Sequence, residues 1–221
     1  MTPGDVIDQR FELQHEIRGG GMGRIFRGKD LHTGAAVAVK IASDPASDSR
    51  ARFRRESVLL AEIAHPAIVA YVAHGELADG TPYLVMEWLE GSDLGQILEA
   101  NHPVAKQTTV RALPHALASA QPTGPIEKHD EPTSAGLDLA TGVLIAKRLA
   151  AALSALHARG VVHRDIKPGN LFLPGNDPAH AKLLDFGTAR ERMPAHPLTS
   201  EGMIVGTPYY MAPEQVREGG T

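Results

Sequence analysis

The sequence predicts an α+β protein in which strands dominate the N-terminal part of the chain and helices dominate the remainder. Apolar and polar residues alternate over residues 11–17 and 37–41, as they do in half-buried strands. An apolar stripe with helical spacing covers residues 145–156, and Gly160 follows it as a natural helix end. These patterns predict a strand-rich region followed by a helical one. The stripe consists of Ile145, Leu149, Leu153 and Leu156.

The composition narrows the class of protein. Hydrophobic residues make up 43% of the 221 residues and charged residues 22%, which is ordinary for a globular protein. A net charge of −4 gives no reason to expect nucleic acid as a partner, and the absence of cysteine excludes disulfides and thiol catalysis. No apolar run approaches the roughly 20 residues of a membrane span, and residues 1–5 are unlike a signal peptide. We therefore expect a cytoplasmic chain without a membrane segment.

A cluster of glycines follows the first predicted strand. Residues 19–21 are all glycine, Gly23 comes next but one, and a second strand begins near Ile25. Glycines between two strands let backbone N–H groups approach phosphates, because no Cβ stands in the way. An ordinary hairpin turn is the alternative interpretation of the same cluster.

The strand at residues 37–41 carries a lysine next to small apolar side chains. Because side chains alternate along a strand, Ala38 and Lys40 share one face, and the branched apolar residues share the other. A small residue and an ammonium on one face suit the edge of an adenine ring with phosphates beyond it. A lysine that faces water from an edge strand is the alternative.

A helix is predicted next, over residues 48–64, and Glu56 lies on its apolar face. Burying a carboxylate without a partner is costly, so we expect Lys40 to neutralise Glu56. A solvated Glu56 among the neighbouring arginines is the alternative. Two further strands are predicted at residues 68–73 and 83–88.

The middle of the chain loses this regularity. Residues 99–136 contain scattered prolines among alanine, threonine, serine and charged residues, a composition typical of a linker. We expect a disordered insertion there, with a regulatory segment as the alternative.

The C-terminal part contains two segments with the side chains that phosphoryl transfer needs. Residues 163–170 are His-Arg-Asp-Ile-Lys-Pro-Gly-Asn, and residues 185–187 are Asp-Phe-Gly. Two short strands at residues 171–173 and 182–184 are predicted to form a hairpin between these segments. The hairpin would bring the two segments side by side.

This juxtaposition predicts a metal site. Mg²⁺ favours carboxylate and amide oxygens together with phosphates, and Asp185 beside Asn170 offers such oxygens. Lys167 follows Asp165 by two residues, where a cation would neutralise charge on a transferring phosphoryl group.

In this order, with Val-Ala-Val-Lys at residues 37–40 and Ala-Pro-Glu at residues 212–214, the segments resemble those of protein kinases, and in detail bacterial Hanks-type serine/threonine kinases. The resemblance implies a bilobal fold with a small β-rich N-terminal lobe at residues 1–90. Residues 91–221 would form an incomplete, mainly helical C-terminal lobe. It also implies ATP with Mg²⁺, or Mn²⁺ as an alternative, and transfer of the γ-phosphoryl group to serine or threonine hydroxyls of a protein.

The resemblance further implies roles for individual residues. Asp165 would be the base, Lys167 would neutralise the transferring group, and Asn170 and Asp185 would bind metal. Lys40 and Glu56 would position the phosphates. Arg164 would bind a phosphate on Thr199 or Ser200, and Thr207 would bond Asp165 and Lys167. The nucleotide would contact Ile17, Gly20, Gly23, Ile25, Ala38, Lys40, Met86, Glu87, Leu89, Asp93, Phe172 and Asp185. Within this set, Met86 would lie behind the adenine ring, and the backbone of residues 87–89 would bond the edge of the ring.

Two features depart from the family pattern. Arg18 stands where the glycine-rich loop of the family begins with glycine, and the chain stops at Thr221, before the family's remaining helices. An ATP- and Mg²⁺-dependent serine/threonine protein kinase is one hypothesis, with autophosphorylation or a dimer left open. A non-catalytic nucleotide-binding or scaffold module is the alternative, and a fragment without independent function is the third.

Overall fold

The computed structural model describes residues 1–20, 23–42, 47–101, 137–185, 190–191, 210 and 212. In these ranges the strands form one sheet of six strands, one of three and one of two. The elements in chain order are β1 (Val6–Ile7), β2 (Phe11–Gly20), β3 (Gly23–Asp30), β4 (Ala36–Ile41), α1 (Ser47–Ala61), β5 (Tyr71–Glu76), β6 (Pro82–Glu87), β7 (Gly91–Asp93), α2 (Leu94–Asn101), α3 (Leu139–His157), β8 (Val161–Val162), β9 (Leu171–Pro174), β10 (Lys182–Leu183) and β11 (Arg190–Glu191).

The six-stranded sheet belongs to the N-terminal part and has the order β1-β2-β3-β4-β6-β5, with antiparallel neighbours throughout. Its buried face carries Val37, Val39 and Ile41, which are 2%, 0% and 5% exposed. The predicted alternation along β4 is therefore correct. The same cluster contains Ile7, Phe11, Leu13, Phe26, Tyr83 and Val85.

β2 breaks the alternation that the sequence predicts for it. Its pairing with β3 skips Gln14 and Ile17, so each is an extra residue without a partner across the ladder. Such bulges turn the following side chains to the other face. Phe11 and Leu13 are buried as expected, but Ile17 is 51% exposed, and its prediction as part of the buried face is wrong.

α1 is shorter than predicted, since it ends at Ala61 instead of residue 64. A proline disfavours helical backbone at the residue before it, and Pro66 lies just beyond this end. Phe53 and Leu60 of α1 pack in the core, and Ile63 packs there from the loop that follows.

The strand predicted from residue 68 begins later, at Tyr71. Ile68 and Val69 instead contact Leu183, through a parallel bridge and a bond of 3.1 Å from Val69 N to Leu183 O. A bond of 2.9 Å from Leu183 N to Ala67 O completes this contact. The segment before β5 thus joins the N-terminal sheet to β10 in the C-terminal part.

α2 reaches into the predicted insertion. The carboxylate of Asp93 accepts a bond of 2.9 Å from Gln96 N at the start of the helix, which then continues to Asn101. The first residues of the predicted insertion at 99–136 are therefore helical, and residues 102–136 lie outside the described part.

α3 contains the predicted apolar stripe. Its first turn is capped by Asp138, which accepts a bond of 3.0 Å from Thr141 N. Ile145 and Leu156 are buried in the core, whereas Leu139 is 84% exposed. Among the described residues, the helix packs on one face. Leu149 and Leu153 are partly buried against the core.

Within the described ranges, one helix is long enough and apolar enough to cross a membrane, judged by length and composition alone, and this helix is α3. Lys147 and Arg148 interrupt its apolar sequence, so the absence of a long apolar run did not predict this helix. A single helix of this kind is weak evidence for a span. Arg148 donates bonds of 2.6 Å to Pro66 O and 3.3 Å to Ala181 O, so this helix has polar contacts with the rest of the fold.

The hairpin predicted between the two chemical segments is present. β9 pairs antiparallel with β10, and β7 lies on the other side of β9. The combination of a six-stranded N-terminal sheet with helices and short strands after it confirms the α+β fold class. The lobe limits at residues 1–90 and 91–221 remain a prediction.

Candidate active site

Lys40 and Glu56 form a buried ion pair. The Lys40 Nζ donates to Glu56 Oε1 at 2.7 Å and to Asp185 Oδ1 at 3.1 Å. Lys40 and Glu56 are 6% and 4% exposed, so neither is the solvent-facing residue of the alternative interpretations. The contact joins a strand and a helix of the N-terminal part to the end of the β9–β10 hairpin.

The electrostatics keep Lys40 charged. Burial opposes the ammonium, but the carboxylates of Glu56 and Asp185 outweigh it and raise the pKa of Lys40 above its ordinary value. The site therefore contains a fixed cation that a phosphate oxygen could approach.

A second cluster lies on the loop after β8. Asp165 Oδ2 accepts a bond of 2.6 Å from Lys167 Nζ and one of 3.0 Å from Asn170 Nδ2. Asn170 Nδ2 also donates to Asp165 O at 2.7 Å, and the 3₁₀ turn Pro168–Asn170 holds the amide in place. Asp165 and Asn170 are buried, at 7% and 5% exposure, so their carboxylate and amide are enclosed by the fold where they meet.

His163 connects this loop to the hairpin. Its Nε2 lies 3.2 Å from Leu184 O, and its Nδ1 accepts a bond of 3.4 Å from Asp165 N. This pattern assigns a neutral ring with the proton on Nε2. Burial lowers the pKa of His163, which agrees with the neutral form.

Two residues of the site have strained backbone. Arg164 and Asp185 have φ angles of 65° and 57°, in the left-handed region that non-glycine residues rarely adopt. Strain of this kind is retained where the surrounding contacts fix it, and it is concentrated at functional sites. Here it affects the residue next to the predicted base and one predicted metal ligand.

Asn170 and Asp185 fit a divalent cation. A bond of 2.8 Å from Leu184 N to Asn170 O places Asp185 directly after a residue paired with Asn170. Because the Asn170 amide nitrogen is bonded to Asp165, its oxygen is the atom left for a metal. Carboxylate and amide oxygens suit Mg²⁺, whose remaining ligands are commonly phosphates and water. In the part of the chain that the structure describes, no group of three or more His, Cys, Asp or Glu could hold a metal.

The residues predicted to bind the adenine edge lie on adjacent strands. Ala38 of β4 is opposite Met86 of β6, and Lys40 is opposite Ile25 of β3. Glu87 ends β6, and its carboxylate is bonded to Ala70 N at 2.7 Å. The prediction for Glu87 concerned its backbone alone.

The glycine-rich turn lies at the other end of the same strands. Gly20 pairs with Gly23 across β2 and β3, and Gly23 has a φ of 141°. A Cβ on Gly23 would lie 2.7 Å from Ile41 O, so both backbone angle and space require glycine there.

A cavity of about 410 Å³ opens beside Lys167. Arg18 lines it, so this departure from the family pattern faces the site instead of pointing away. Asp93 also lines it, next to the first turn of α2. The remaining lining residues are Gly95, Gln96, Glu99, Pro168, Gly169 and Tyr210.

Phe172 lies between Asp93 and Lys182, which are its partners on the neighbouring strands β7 and β10. Leu89 is partly buried against the core. Several predicted residues lie outside the described part of the chain: Phe186, Gly187, Thr199, Ser200, Thr207 and Glu214. Their roles, and that of Arg164 toward a phosphate, remain predictions.

Sequence reasoning missed Lys182, which forms an ion pair with Glu87. The two residues are 95 positions apart, and no local pattern joins them. The only available signal was a lysine at the start of the strand that precedes Asp185.

Comparison with known proteins identifies the family of the chain. Residues 11–221 match the protein kinase domain family. The chain is 35% identical over 226 residues to the serine/threonine-protein kinase PknA of Mycobacterium tuberculosis, covering 97% of this chain and 44% of that protein. It is 32% identical over 224 residues to the serine/threonine-protein kinase pkn3 of Myxococcus xanthus, covering 97% and 35%.

A third relative is the DNA damage-responsive serine/threonine-protein kinase RqkA of Deinococcus radiodurans, 32% identical over 223 residues, which cover 100% of this chain and 28% of that protein. The chain thus spans less than half the length of these relatives. With a family match over nearly all its residues and the buried Lys40–Glu56 pair in place, this chain belongs to the protein kinase domain family.

Proposed function

We propose that this chain is the catalytic part of a serine/threonine protein kinase that transfers the γ-phosphoryl group of ATP to a protein hydroxyl. The observation that carries the proposal is the proximity of two clusters of charged and amide side chains. Lys40 binds Glu56 and Asp185, while Asp165 binds Lys167 and Asn170, and the β9–β10 hairpin connects them. Phosphoryl transfer needs such positioning and charge neutralisation.

Asp165 would orient the acceptor hydroxyl and take its proton. Its Oδ2 accepts from Lys167 and Asn170, so Oδ1 is the oxygen for the hydroxyl. As the acceptor oxygen bonds to the γ-phosphorus, the bond from that phosphorus to the bridging oxygen breaks and ADP leaves. Lys167 would neutralise negative charge on the phosphoryl group during this transfer.

Lys40 would hold the phosphates of the nucleotide. Its ammonium is fixed by Glu56, so little side-chain freedom remains to be lost on binding. A divalent cation, Mg²⁺ or Mn²⁺, would be held by Asn170 and Asp185 and would supply further charge neutralisation at the phosphates.

The names of the relatives support the substrate class. All three are named serine/threonine-protein kinases. We extend the proposal to protein substrates with serine or threonine acceptors. Autophosphorylation at Thr199 or Ser200, dimerisation and a cytoplasmic location are further parts of it.

The test is Asp165→Asn. Removing the carboxylate should lower phosphate transfer to a serine peptide about a hundredfold or more, because general-base assistance contributes that much. ATP binding should be retained, since Asp165 contacts the acceptor side. Asp177→Asn is the matched control, because that carboxylate is half exposed and bonds only its own turn in the described residues. Undiminished transfer by the Asp165 variant would contradict the assignment.

A further inference from the structure

The side chain of Glu87 has two partners in different parts of the fold. Its Oε1 accepts a hydrogen bond from Lys182 Nζ of β10 and one of 2.7 Å from Ala70 N. The backbone of the same residue donates to Ala70 O at 2.9 Å. Glu87 is therefore fixed by side chain and backbone together. It ends β6 and begins residues 87–89, whose backbone is predicted to bond the adenine ring.

Lys182 approaches from the C-terminal part. β10 is bonded to residues before β5 through Leu183, which contacts Ala67 and Val69. The Lys182–Glu87 ion pair extends this row of contacts to the end of β6. The row therefore reaches the strand end where the nucleotide would bind.

The same short strand also determines where Asp185 lies. Asp185 follows Lys182 by three residues and bonds Lys40 at 3.1 Å. The first residue of β10, Lys182, thus contacts Glu87. The predicted metal ligand Asp185 comes shortly after the last residue of the same strand. The ion pair therefore connects the segment predicted to bond the adenine ring with the strand that precedes the predicted metal ligand.

We propose that Lys182 is a positioning residue for the nucleotide. The Lys182–Glu87 ion pair would hold residues 87–89, whose backbone is predicted to bond the adenine ring, at a fixed distance from Asp185. This inference rests on the proposed function, because it needs a nucleotide at residues 86–89. Surface ion pairs often contribute nothing measurable. Here the side chains are only 18% and 29% exposed, and the carboxylate is also bonded to a backbone N–H.

The experiment compares three variants of the full-length protein. Lys182→Met removes the ammonium and keeps the apolar stem, Lys182→Arg restores a cation, and Glu76→Gln breaks the exposed Arg54–Glu76 pair as a control. We expect Lys182→Met to raise Kd and KM for Mg·ATP about threefold to tenfold, because a partly buried charged contact is lost. The kcat should change less than about twofold, and the other two variants should bind like the wild type.

Hydrogen exchange without nucleotide measures the contact itself. Lys182→Met should speed exchange in peptides covering residues 66–70 and 86–89, whereas Glu76→Gln should leave both unchanged. If the wild type binds Mg·ATP and Lys182→Met matches it in affinity and exchange, the inference is overturned while the proposed function stands. If the wild type binds no nucleotide, the proposed function and the positioning role fail together, even where exchange shows that the contact exists.

Discussion

Lys40 and Lys167 are both bound to carboxylates, but they differ in burial. Lys40 has a side chain 8% exposed and contacts Glu56 and Asp185, whereas Lys167 is 24% exposed beside Asp165. A buried ammonium stabilises the fold by neutralising buried carboxylates, so its removal affects more than catalysis. Lys167 lies at the wall of the neighbouring cavity, so its removal should affect stability less.

This difference leads to a prediction for Lys40→Met. The change leaves Glu56 buried without its ammonium, and we expect the free energy of unfolding to fall by about 3–5 kcal/mol. The double variant Lys40→Met/Glu56→Leu should regain much of that stability without regaining phosphate transfer. Urea denaturation and a transfer assay measure the two properties separately. A double variant as unstable as the single one would contradict the ion-pair explanation.

Asp30 provides a pH-dependent prediction away from the site. Arg10 donates bonds of 3.0 and 2.8 Å to its carboxylate, and this contact lowers the pKa of Asp30 despite burial. A lowered folded-state pKa means that Asp30 stabilises the fold fully above its ordinary pKa of 3.8, and that this contribution is lost as the pH falls below that value. Asp30→Asn should lower Tm at pH ~7, and the difference from wild type should narrow below pH ~3.8. A difference that is constant with pH would refute this explanation.

At the scale of elements, the pairing of β7 with β9 depends on one close backbone approach. Gly91 has a φ of 139°, and a Cβ there would lie 2.2 Å from Leu173 O. Gly175 N donates to Glu90 O at 2.7 Å beside it. This pairing holds Asp93 at the start of α2 and next to the cavity. The position of the cavity wall therefore depends on a residue without a side chain.

Gly91→Ala should accordingly destabilise the protein. We expect at least about 1–3 kcal/mol from the backbone conformation, with a further loss from the clash with Leu173 O. Gly142→Ala is the matched control, because no described atom beyond the local backbone of α3 lies within 4 Å of a Cβ on Gly142. It should stabilise by about 0.5–1 kcal/mol through helix propensity. Tm values of the two variants check both signs, and equal effects would contradict the packing argument.

At the scale of the whole molecule, the N-terminal and C-terminal parts share one core. The larger apolar cluster extends from Phe53 and Leu60 of α1 to Ile145 and Leu156 of α3. Leu183 of β10 belongs to it as well. Nucleotide bound beside Lys40 and Asp185 would thus be coupled to the packing of both parts, and binding should raise global stability.

Thermal unfolding with nucleotide tests this coupling. A ligand at about 100 times its Kd stabilises the folded state by about 2.7 kcal/mol, which for a chain of this size raises Tm by about 5–10 °C. We expect such a shift with ATP and Mg²⁺, and a smaller one when EDTA removes the metal. No shift at millimolar nucleotide would mean that this chain does not form the site.

The sequence alone determined the chemical residues and their local order. The octapeptide at residues 163–170, the hairpin that follows it and the Lys40–Glu56 pair were predictable, because each depends on short spacing, strand alternation or the high cost of an unpaired buried charge. In the hairpin, Leu171 pairs with Leu183, and the two strands are close in sequence. Residues 37–41 were predictable for the same reason.

Only the tertiary structure decided the rest. The bulges at Gln14 and Ile17 depend on how β2 meets β3, and the Lys182–Glu87 pair joins residues 95 positions apart. Ile68 pairs with Leu183 instead of beginning β5 because a partner distant in sequence competes for its backbone. Contacts of this kind are set by the packing of whole elements, and local patterns of polarity contain no information about which distant backbone will be adjacent.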